Sequence, residues 1–130
     1  MAKIDHIAIW TKDIENLKKF YQKYFKCTSN KKYINKQKKF ESYFLKFSNK
    51  IKLEIMQMPK IPANKNNYIK QYLGIIHIAI NVNGKKNVDK ITETLKKDGY
   101  HVVSEPRLTG DGYYESCILD PDGNRIELIA

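Results

Sequence analysis

The sequence predicts an α+β fold made of two tandem β-α-β-β-β modules. Three observations carry the prediction. His6-Ile7-Ala8-Ile9 returns as His77-Ile78-Ala79-Ile80, and Leu53-Glu54-Ile55 returns as Ile126-Glu127-Leu128. The histidines are 71 positions apart and the glutamates 73, so both pairs report nearly one offset, as an internal duplication requires. Finally, 130 residues suffice for one domain or two half-domains sharing a core, and nothing larger.

The first module spans 1–58. It opens on a strand-like run, Lys3 to Trp10. Ile14, Leu17, Phe20, Tyr21, Tyr24 and Phe25 then recur every three or four positions, which predicts a helix that Thr11 or Asp13 can cap. Cys27 to Lys39 is polar and lysine-rich and argues for a loop, with one weak strand around Tyr33 and Ile34. Phe40–Phe47 and Ile51–Met58 read as two strands joined by the turn Ser48-Asn49-Lys50. Residues 59–73, rich in proline and asparagine near their start, form the linker.

The second module, 74–130, repeats the order. Ile75–Val82 is an apolar strand, and a helix follows from Lys85 to Asp98 through Val88, Ile91 and Leu95, with Gly99 as its C-terminal cap. Tyr100–Ser104 is a short strand and Pro106–Gly112 a loop. Tyr113–Leu119 and Asn124–Ala130 form a hairpin over Asp120-Pro121-Asp122-Gly123.

Composition narrows the function classes. No run of about 18 apolar residues occurs, which excludes a membrane-spanning helix, and Met1–Trp10 lacks the form of a signal peptide. The chain therefore reads as cytoplasmic. Its net charge of +10 comes from 24 cations, of which only Arg107 and Arg125 are arginine. Lysine clusters such as Lys36, Lys38 and Lys39 can steer an acidic partner. A nucleic-acid reader more often uses arginine forks on a basic helix or an aromatic platform, so nucleic-acid binding is disfavoured. Cys27 and Cys117 have no metal or redox spacing and read as reduced thiols.

The matched residues carry the chemistry. His6 and His77 sit at one place on the opening strand of each module, Glu54 and Glu127 at one place on the closing strand. Strand alternation puts their aliphatic neighbours on one face and these four on the other. Singly, each passes as a solvent-facing polar residue. Placed equivalently by a duplication, they converge if the halves pair about a two-fold-like axis. Two imidazoles and two carboxylates suit one divalent transition metal per site: Zn, Ni, Co, Fe or Mn.

The paired modules, the His-Ile-Ala-Ile motifs and the closing Asp120-Pro121-Asp122-Gly123-Asn124-Arg125-Ile126-Glu127-Leu128 together resemble the vicinal oxygen chelate superfamily over essentially the whole chain. Within it the chain is most similar to bacterial glyoxalase I-like proteins. The resemblance implies a cupped, strongly curved mixed sheet of eight strands, a mononuclear metal in the cup, and a homodimer. His6, Glu54, His77 and Glu127 match the His, Glu, His, Glu ligand order of glyoxalase I-like members. Methylmalonyl-CoA epimerases usually have glutamine at the Glu54 position, and fosfomycin-inactivating members and extradiol dioxygenases use two histidines and one glutamate.

The implied chemistry is proton transfer beside a carbonyl in a small 2-oxoaldehyde–thiol hemithioacetal. A metal holding two adjacent oxygens stabilises the enediolate, and Glu127 or Glu54 moves the proton. Two other functions compete: thiol or water transfer to an electrophilic antibiotic such as fosfomycin, which needs only three ligands, and a non-catalytic antibiotic-sequestering module. The resemblance departs at substrate recognition. Bacterial relatives commonly carry a glutathione-binding arginine four residues after the first histidine; here that residue is Trp10, either a substrate wall or a core or interface aromatic. Arg107 is a candidate anion contact. Tyr113 and Tyr114 face opposite ways, and Tyr114 is expected on the substrate side.

Overall fold

The structure, a computed structural model, describes residues 1–130. The chain divides into two compact units, Met1–Ala63 and Asn64–Ala130, and the α+β class and the repeated module hold in both.

In the first unit the elements are β1 (His6–Trp10), α1 (Ile14–Phe25), β2 (Thr28–Ser29), β3 (Tyr33–Asn35), β4 (Phe40–Lys46) and β5 (Lys52–Gln57). The sheet runs β1-β5-β4-β2, with β3 also on β4; β1 pairs β5 in parallel and the other pairs are antiparallel. Asp13 caps α1 by accepting from the Asn16 amide at 3.0 Å, and Thr11 Oγ1 in turn accepts from the Asp13 amide at 3.1 Å. Ile14, Leu17, Phe20 and Tyr21 form the buried face of α1, which packs on β4 and β5, where Tyr43, Leu45, Leu53 and Ile55 are also buried. Each such side chain withdrawn from water contributes about 1.5–3 kcal/mol.

The second unit has β6 (His77–Asn81), α2 (Lys85–Lys97), β7 (Val102–Leu108), β8 (Tyr114–Leu119) and β9 (Arg125–Ile129), in sheet order β6-β9-β8-β7. Val88, Thr92 and Leu95 are the buried residues of α2, and Ser116, Ile118, Ile126 and Leu128 are buried on the sheet. The helix closes at Gly99, whose φ of 90° favours glycine. The Asp120–Gly123 turn is tied by the Asp120 carboxylate, which accepts from the Asp122 and Asn124 amides at 3.0 and 2.9 Å.

Two expectations are corrected. There are nine strands in two mixed sheets, rather than eight in one. The segment after α1 supplies β3 where the weak strand around Tyr33 and Ile34 is expected, and β2 besides, whose two residues borrow the β4 ladder and need little β propensity of their own. The loop expected over Pro106–Gly112 is a turn only from Thr109 to Gly112, and Pro106 to Leu108 are instead the end of β7. Proline is tolerated there because β7 is an edge strand whose pairing with β8 slips register at two points.

Candidate metal centre

In the first unit, His6 and Ala8 alternate with Ile7 and Ile9 along β1, so the imidazole stands on the sheet face opposite α1. The parallel register sets Ala8 beside Glu54 of β5. His6 Nε2 and Glu54 Oε2 lie 3.3 Å apart. The other ring nitrogen, Nδ1, is 2.7 Å from Asp5 Oδ2, and Lys52 Nζ reaches the same carboxylate oxygen at 3.0 Å. These two contacts, the His6 hydrogen bond first, hold the Asp5 carboxyl below its ordinary range. The Phe44 ring meets the imidazole edge-on at 5.2 Å. The ring is therefore fixed on two sides, and Nε2 is left facing the carboxylate.

The second unit repeats the pair. His77 Nε2 and Glu127 Oε2 are 3.2 Å apart. The surroundings differ. Ile76 stands where Asp5 does, and β8 sets Cys117 directly opposite Glu127, as β4 sets Phe44 opposite Glu54. Two residues earlier on β8, on the same face, is Glu115. Together His77, Ala79, Glu115, Glu127, Ile129, Asp111 and Tyr113 line a cavity of about 330 Å³. Burial pushes the Glu127 carboxyl above its ordinary value; His77 draws it back, and Glu115 pushes it up again by its charge and a hydrogen bond. The Cys117 thiol, also burdened first by burial, is pushed up to about 11, so it is no nucleophile at neutral pH.

Each unit thus brings one imidazole and one carboxylate together. Arg107 stands on β7 rather than in a loop, opposite Glu115 in the ladder, with its guanidinium donating to Ser104 Oγ. Trp10 shares the His6 face of β1 and is 38% exposed. Tyr114 does not reach the substrate side. Its hydroxyl donates to Asp89 of α2 at 2.6 Å, because it shares the alternation of Ser116 and Ile118, which face the helix. The tyrosine at the cavity is Tyr113. Glu115 escaped sequence reading, although the hairpin carried the signal: with Cys117 opposite Glu127, residue 115 must share that face.

The duplicated module, with one His–Glu pair in each unit, defines a class of domains, and comparison with known proteins gives it a name. Residues 3–128 match the family model for the Glyoxalase/Bleomycin resistance protein/Dioxygenase superfamily, and the chain belongs to it. It is 30% identical over 128 residues to the uncharacterized protein YqjT of Bacillus subtilis, covering 96% of each chain. Its fold is similar to that of a glyoxalase I mutant from Zea mays (TM-score 0.79, 23% identity), of whose length it spans 44% while 98% of this chain is covered. It is also similar in fold to the fosfomycin resistance protein FosX of Listeria monocytogenes, solved with Mn(II) and sulfate (TM-score 0.75, 21% identity, 100% and 93% coverage). No helix is long and apolar enough to cross a membrane.

Proposed function

We propose that the protein is a metal-dependent glyoxalase I-like lyase that isomerises the adduct of a small 2-oxoaldehyde and a thiol. The observation that carries this reading is the doubled pair, His6–Glu54 at 3.3 Å and His77–Glu127 at 3.2 Å. Nitrogen and oxygen ligands about 2.0–2.2 Å from one cation stand roughly this far from each other, so each pair suits two neighbouring positions around a divalent ion. By resemblance His6, Glu54, His77 and Glu127 would together be the ligand set. Nickel, zinc, cobalt, iron and manganese all suit this set. When bound, the cation supplies Lewis acidity to two adjacent substrate oxygens.

The remaining work falls to the chain. Glu127 takes the proton from one carbon and returns it to its neighbour. Its side chain borders the cavity and is more exposed than that of Glu54, 26% against 16%. Asp5 fixes the His6 ring, and Arg107 offers a charge to an anionic group on the substrate. By resemblance the reading extends to a homodimer in the cytoplasm.

The test is isomerisation of the methylglyoxal–glutathione adduct by metal-stripped protein titrated with nickel or zinc. Turnover that saturates near one metal per site is the expected result. Metal uptake without turnover keeps the ligand set and discards this substrate in favour of another thiol or an electrophile such as fosfomycin. Ligand binding that survives chelators and His77→Ala would make the protein a sequestering module.

A further inference from the structure

Resting on that reading, we propose that Trp10, Phe40 and Tyr33 form a wall that receives an aryl or similarly flat apolar group of the substrate. The three rings are contiguous. Trp10 meets Phe40 edge-on at 6.0 Å, and Phe40 meets Tyr33 at 6.1 Å. They share the face of His6 and Glu54: Trp10 follows His6 by two alternations of β1, while Tyr33 stands opposite Ser42, which alternates with Phe40 and Phe44 on β4. The distance along β1 from His6 to Trp10 is about 13 Å, and only Ala8 lies between them on that face. The span of β1 between the His6–Glu54 pair and the wall therefore carries no bulky side chain on that face, and Met56 of β5 stands beside Trp10.

The wall is not core. Trp10 is 38% and Tyr33 54% exposed, although both present large apolar surfaces. An occupant of stated chemistry follows from charge. Lys36, Lys38 and Lys39 occupy the turn joining β3 to β4, at the rim of the wall. A second copy of a chain with net charge +10 is repelled by that rim, and three side chains fall well short of the roughly 800 Å² per partner of a standard interface. An anionic small molecule with a flat apolar end is attracted at one end and stacked at the other. The aryl group belongs either to the aldehyde or to the thiol half of the adduct.

Because Trp10 is the only tryptophan, its fluorescence reports on the wall directly. The probes are 4-phenylbutanohydroxamate and butanohydroxamate, which present the same pair of adjacent oxygens with and without an aryl end. They are titrated calorimetrically into zinc-loaded and metal-free protein. The expected result is a preference of about tenfold for the phenyl compound, tryptophan quenching by it alone, loss of the preference in Trp10→Ala and its retention in Trp10→Phe. If Trp10→Ala does not fold, Tyr33→Ala, at the exposed edge of the wall, must show a reduced preference. Equal affinities for the two probes, a preference untouched by the wall variants, or a halved molecular mass in Trp10→Ala would each overturn the proposal. Failure of the metal reading looks different: zinc then raises neither affinity, while the phenyl preference persists. Pairing phenylglyoxal with a small alkyl thiol, and methylglyoxal with phenylmethanethiol, then assigns the aryl group by which adduct Trp10→Ala binds less well.

Discussion

His6 and His77 open equivalent strands and face equivalent glutamates, yet only His6 is held from behind. Asp5 takes its Nδ1 and Lys52 takes Asp5, while Phe44 closes the ring edge. Behind His77 there is Ile76, and Arg125, which stands in the ladder where Lys52 does, donates instead to the Tyr68 carbonyl at 3.1 Å. The second half carries a lined cavity, a further carboxylate at Glu115 beside its glutamate, and a Glu127 whose proton affinity is raised. Duplication supplied two copies of one pair. Divergence around them fixed the imidazole in one copy and set a lined cavity beside the other.

The sharpest way to break this comparison is to treat the two glutamates alike. Glu127→Gln is expected to lower kcat by about 10²–10⁴-fold even with metal in excess, since it removes the proton carrier. Glu54→Gln is expected to weaken metal binding and to recover most of its turnover at saturating metal. Rate against metal concentration, fitted for both variants, separates the roles. Equal losses at saturation would mean that the halves do not divide the work.

Next in size is the support behind His6. Asp5→Asn keeps the shape and removes the charge, and is expected to weaken metal binding by about 10-fold or more, with little change in fold or stability. Equilibrium dialysis against zinc reads the effect without reference to activity. The reciprocal change, Ile76→Asp, gives His77 the partner it lacks and is expected to tighten binding by a few-fold at most, because Arg125 is already engaged elsewhere. A loss from Asp5→Asn no greater than that from an unrelated surface change would dissolve the anchor.

A smaller effect concerns pH. Glu115 raises the proton affinity of Glu127 through its charge and hydrogen bond, after burial has done the larger part. Glu115→Gln therefore lowers the Glu127 pKa, keeps the base deprotonated to lower pH and moves the acid limb of the rate profile downward. Because burial remains, the Glu127 carboxyl stays above its ordinary value even in that variant. Carboxyl titration of metal-free protein by NMR gives the same sign without turnover.

Both histidine–glutamate pairs were legible in the letters, because a duplicated motif places its residues twice and strand alternation then fixes their face. The substrate side was less so. Tyr114 and Glu115 exchange roles on a single step of alternation, and that step depends on which residue of β8 faces Glu127, a register set by the Asp120–Gly123 turn. Arg107 was read as a loop residue because Pro106 reads as a strand breaker, and only the edge position of β7 makes it otherwise. In the first unit β3 was legible as the weak strand around Tyr33 and Ile34, whereas β2, only Thr28–Ser29, follows no strand pattern and takes its pairing from β4.

The smallest predicted effect lies beneath the sheets, where each helix is fastened differently. In the first unit Tyr43 donates to Glu15 of α1 at 2.8 Å and Lys32 reaches the same oxygen at 2.8 Å, while in the second Thr92 of α2 and Ser116 share a buried hydrogen bond of 2.7 Å. The first fastening titrates and the second does not. Lys32, then Tyr43, hold the Glu15 carboxyl down to about 2. A carboxyl held below its ordinary value contributes stability that is present above that value and is lost as pH falls toward 2. The Glu15 side chain is 45% exposed and screened by solvent, so the contribution is about 1 kcal/mol at most. Hydrogen exchange between pH 5 and pH 3 should therefore show α1 losing protection ahead of α2, and Glu15→Gln should remove that difference by weakening α1 at both values. Parallel loss in the two helices would show that the ion pair fastens nothing that the buried apolar face of α1 does not already hold.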